Sequence, residues 1–96
     1  MTIEDRISAI AAKARDVAGV VDAELARRVV YLDRARVIVG IVHDTLAVMT
    51  KIEGEAVPSD FDDAWRELRL RLAHSQARLE RIINGAAMPI EDYERA

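Results

Sequence analysis

Residues 36–52, RVIVGIVHDTLAVMTKI, set Val37, Ile38, Val39, Ile41, Val42, Thr45, Leu46, Val48, Met49 and Ile52 on one side of a helix. At 3.6 residues per turn these positions sweep about 200° of the circumference, whereas a helix resting on a single core needs a stripe of roughly 100°. The helix therefore needs more than one neighbour, and a chain of 96 residues supplies few. The pattern predicts an all-α fold: a helical bundle of two or three long helices plus a short C-terminal helix or tail, assembled as a dimer.

Composition agrees with helices. Six Gly and Pro residues in total are few for a turn-rich β protein. The hydrophobic fraction of 51% and charged fraction of 32% describe a globular chain rather than a disordered one. The absence of cysteine removes disulfides, thiolate metal sites and a thiol nucleophile, and suits a reducing compartment. The acidic start TIEDRISAIAAKARD does not read as a secretory signal, and Arg36, His43, Asp44 and Lys51 interrupt the longest apolar window. A cytoplasmic protein with no membrane contact is expected.

Working outward, Thr2 with Glu4 and Asp5 reads as an N-cap with acids in the first turn. Ile3, Ile7, Ile10, Ala14, Val17 and Val21 then alternate steps of four and three, a heptad seam. Gly19 followed by Val20-Val21-Asp22 marks a bend, giving helices over 3–20 and 22–53 within a single domain. The β-branched runs VVYL and RVIVGIV offer a rival hairpin, but the connector DRAR lacks Gly, Asn and Pro, so helix is preferred. Gly54 to Ser59 forms a linker. Ser59 or Asp60 then caps a helix over 60–84 with the seam Phe61, Trp65, Leu68, Leu72, Ser75, Leu79 and Ile82. Asn84-Gly85 ends it. In the tail, 85–96, Pro89 permits a helical restart that could dock Ile90 and Tyr93.

Chemistry-bearing patterns are sparse. His43 and Asp44, with His74 on the later helix, form the one constellation able to suggest a metal, but repeated Glu-x-x-His motifs are missing, and His43 fits a hydrogen-bonded structural position. Arg27, Arg28, Arg34 and Arg36 make a possible basic patch. Arg66, Arg69, Arg71, Arg78 and Arg81 stud the last helix beside Glu67 and Glu80, as expected of a solvated face with a Glu67–Arg71 pair, where Arg69→Ala would be silent. No stacking platform, phosphate loop or nucleophile with its base appears, and the net charge of −3 argues against nucleic acid as a partner. Segment 51–67 resembles the short all-helical chorismate mutases in its lysine, linker and arginine–glutamate. Gly40, however, stands where that family's substrate-binding arginine falls, so the likeness implies no membership.

The expected function is a non-enzymatic protein–protein interaction module, an assembly factor, adaptor, chaperone or inhibitor, without cofactor or metal. Its interaction face would comprise Val37, Ile38, Ile41, Val42, Leu46, Met49, Phe61 and Trp65, with a homodimer or protein partner covering it. A nucleic-acid regulator using the arginine clusters, or a metal-binding or enzymatic bundle around His43 and His74, are the alternatives.

Overall fold

The computed structural model describes residues 2–85 and the backbone of 93–94. Three long helices, α1 (Ile3–Leu25), α2 (Leu32–Glu55) and α3 (Asp63–Ile83), form an up-down-up bundle. The ion pairs fix its register. Arg6 near the start of α1 reaches Glu55 at the end of α2, and Glu53 meets Arg69 near the start of α3. Asp22 of α1 pairs with Arg71 of α3. Helices α1 and α3 therefore run parallel, with α2 antiparallel to both.

The start of α1 and both ends of α3 follow from local chemistry. Thr2 Oγ1 accepts from the Asp5 amide at 3.1 Å while Asp5 returns a bond to the Thr2 amide, a capping box that satisfies two terminal donors. Helix α3 is capped by Asp62, which accepts from the Trp65 amide at 2.9 Å, and not by Ser59 or Asp60. Those two residues are taken up in a 3-10 turn at Pro58–Asp60, where Asp60 accepts from the Val57 amide. Gly85, with φ of +69°, terminates α3 in the left-handed conformation that glycine adopts without a Cβ penalty.

The first break lies at 26–31, not at Gly19–Asp22. Helix α1 continues through Gly19 because Val17, Ala18 and Val21 all turn inward, and their burial outweighs the roughly 1 kcal/mol that a helical glycine costs. The seam even extends one step further, to Glu24, which a hydrophobicity reading passes over because the residue is charged. Only at Val29-Val30-Tyr31 does β-branching coincide with the point where the chain must turn back. There Val30–Tyr31 forms a strand, β1, paired in parallel with β2, Tyr93–Glu94. The hairpin between VVYL and RVIVGIV does not form, since RVIVGIV lies within α2. A helical restart at Pro89 and the docking of Ile90 fall outside the described residues.

The core runs the length of the three-helix interface. On α3 the buried residues are Trp65, Leu68, Leu72, Ser75, Leu79 and Ile82, with Phe61 just before the helix, the seam read from the sequence. Phe61 and Trp65 stack at 4.9 Å between ring centroids, tilted by 42°. On α2 the buried stripe is narrower than the apolar arc: Leu32, Ala35, Ile38, Val42, Thr45, Met49 and Ile52. Thr45 is tolerated inside because its hydroxyl donates to the Ile41 carbonyl at 2.8 Å.

Candidate interaction surface

The two flanks of the wide α2 arc differ. Residues that look toward α1 and α3 are consumed by the bundle: Ile38, Val42, Met49, Phe61 and Trp65 are buried within one chain and are not available to a partner. Leu46 is half-buried against the same core. This corrects most of the face expected from sequence, because helical periodicity measures how wide an apolar arc is and not which neighbour covers it. What remains exposed is Val37 at 63%, Ile41 at 42% and Val48 at 47%, all within about 40° of one another around α2.

These three lie on the α1 side. Ile41, Asp44, Thr45 and Val48 share a shallow groove of about 200 Å³ with Ile10 and Lys13 of α1. In the antiparallel register marked by the Arg6–Glu55 pair, Val20 falls level with Ile41 and about one turn from Val37. Val20 is 56% exposed. Val20, Val37, Ile41 and Val48 thus form a stripe along the outer α1/α2 face. The remaining exposed large apolar side chains among the described residues, Tyr31, Val57 and Leu70, lie elsewhere. Sequence reading missed Val20, which sits just off the α1 seam and gains a role only from its neighbour across the groove.

The charged constellations resolve differently from their sequence readings. Arg27 and Arg34 converge on the buried Glu24 at 3.5 and 3.6 Å, and Arg36 pairs with Asp33 at 3.3 Å. Arg27 also lies over the Tyr31 ring, 5.8 Å from its centroid. Most of the basic patch is therefore spent on intramolecular contacts, and Arg28 alone of the four has no ion pair among the described residues. On α3, Arg69 is no solvated ornament: its Nε donates to both Glu53 oxygens at 2.9 and 3.0 Å and its Nη2 to Thr50 at 2.8 Å. Arg71 reaches across to Asp22 rather than to Glu67.

The histidine constellation is not assembled. His43 stands 70% exposed on α2, 3.5 Å from Asp44, and so does not occupy the hydrogen-bonded structural position its sequence context suggested. His74 lines a different groove, of about 560 Å³, between α1 and α3, together with Asp22, Leu25, Leu70, Arg71 and Arg78. Among the described residues no group of three or more His, Cys, Asp or Glu side chains is placed to hold a metal ion. No described helix is long and apolar enough to cross a membrane. Neither a family model, a curated protein nor a solved structure is significantly similar to this chain.

Proposed function

We propose that this chain is a non-enzymatic helical interaction module that acts through the outer α1/α2 face and associates there as a dimer. The observation that carries the reading is that Val20, Val37, Ile41 and Val48 are exposed on one face, with Ile41 and Val48 lining its groove. Single exposed apolar residues are ordinary, whereas an aligned set flanked by polar residues marks an interface.

The four side chains expose roughly 300 Å² per copy, and covering that area on two copies contributes about 15 kcal/mol at ~25 cal/mol per Å². Association itself costs about 4–15 kcal/mol. The balance, between about 0 and about 11 kcal/mol, is that of a reversible complex rather than an obligate one.

A photoreactive side chain at position 41, compared with one at position 66 on α3, tests the reading in the cells that make the protein. Adducts of defined mass are expected from position 41 and not from position 66. Equal labelling at both, or none at either, refutes it.

A further inference from the structure

We infer that the α1/α3 groove binds an amphipathic carboxylate, a free acid with one anionic head and an apolar tail of medium length. The groove encloses about 560 Å³, within the range of small-molecule clefts, and shares no lining residue with the α1/α2 groove. The α3 seam accounts for it. Phe61, Trp65, Leu68, Leu72, Leu79 and Ile82 fill the core with large apolar side chains, and the one small polar step among them is Ser75. So short a side chain leaves unfilled the space that a seam leucine closes. Ser75 is 9% exposed and lines the groove, and its hydroxyl makes no hydrogen bond among the described residues. A buried hydroxyl with no protein partner is costly unless a ligand or water satisfies it.

Charge selects the ligand. Asp22 and Arg71 neutralise each other across the groove. Arg78, His74 and Glu67, which also line it, make no ion pair among the described residues. Leu70, His74 and Arg78 follow one another at steps of four along one ridge of α3, and Glu67, Arg71 and Ser75 along the next. Arg78 is therefore a helical neighbour of both His74 and Ser75. A carboxylate placed there accepts from the guanidinium, from a ring N–H of His74 and from the Ser75 hydroxyl.

Leu70, 58% exposed, stands at the other end of its ridge, about 12 Å from Arg78 along the helix axis. An acyl tail running from the head toward Leu70 covers that side chain and Leu25 on the facing helix. A second negative charge is disfavoured at both limits of the groove, by Glu67 beside Leu70 and by the carbonyl end of α1 at Leu25. The site is thus suited to a monoanion whose head rests on α3.

Titration calorimetry of the full-length protein with sodium octanoate tests the inference, with octanol as the uncharged probe and R78A and S75L as variants. Octanoate is expected to saturate the wild type below about 1 mM, with R78A and octanol each roughly fivefold weaker. S75L should bind no octanoate while melting no lower than the wild type, because the leucine continues the seam. Should S75L fail to fold, R78A and octanol decide the matter. Amide chemical-shift changes should centre on Leu25, His74 and Ser75. No saturation by about 1 mM, octanol or R78A binding matching octanoate on the wild type, a folded S75L that still binds, or shifts centred on Val37 and Ile41 would each overturn the inference.

Discussion

The indole Nε1 of Trp65 donates a 2.9 Å hydrogen bond to Glu53, whose two carboxylate oxygens also receive Nε of Arg69. Glu53 is thus the polar clasp between the end of α2 and the start of α3. Trp65 is 3% exposed, so its N–H has no recourse to water when that acceptor is lost. Glu53→Ala should destabilise the protein by about 2 kcal/mol, and Glu53→Gln, which keeps one acceptor, by about half as much. Arg69→Ala should cost about 1 kcal/mol. Urea denaturation of the three variants at neutral pH checks the order, and an unaffected Arg69→Ala would return that residue to the solvated face.

Gly19 lies inside α1, and a Cβ added there meets nothing within 4 Å. Gly19→Ala should therefore stabilise the fold by about 0.5–1 kcal/mol, by removing backbone freedom from the unfolded chain. Gly85→Ala should do the reverse, since φ of +69° is strained for any residue with a Cβ. Thermal melts of both variants read opposite shifts if α1 is continuous, and a loss on Gly19→Ala would place a bend there.

Ile41 and Val42 are adjacent in sequence and opposite in consequence. Val42 is fully buried, so Val42→Asp places an unpaired carboxylate in the core and should unfold the protein, a loss above about 4 kcal/mol. Ile41 is exposed, and Ile41→Asp should leave monomer stability within about 0.5 kcal/mol while weakening self-association. Circular dichroism and sedimentation on the same samples separate the two effects.

Glu24 is 6% exposed, and its Oε1 has no hydrogen-bond partner among the described residues. Its contacts with Arg27 and Arg34, at 3.5 and 3.6 Å, are long for charge-assisted bonds. Desolvation of the carboxylate is then incompletely offset, and Glu24→Met should be neutral or stabilising in urea titrations. A loss of more than about 2 kcal/mol would show that the two arginines do compensate it.

Legibility in the sequence varied from helix to helix. Helix α3 was readable along its whole length, because Phe61 to Ile82 alternate steps of four and three and the far side, Leu70 apart, is mostly polar. The α1/α2 boundary was misplaced, because a glycine that breaks an isolated helix is tolerated where Val17 and Val21 anchor both sides of it. Arg69 was misjudged for a related reason. Charge in a sequence suggests solvent, but this side chain is held by Glu53 and Thr50 of α2.

Periodicity and end signals alone determined that the chain is a helical bundle, which seams face inward, and that α2 carries more apolar surface than one neighbour can cover. Those properties are written in local spacing, where every interaction falls within a few turns. Which flank of α2 is hidden, and that Ile41 and Val48 share one groove with Ile10 and Lys13, was decided only by tertiary structure. Packing assigns each side of a helix to a neighbour, and the register between antiparallel helices brings together residues that no single stretch of sequence relates.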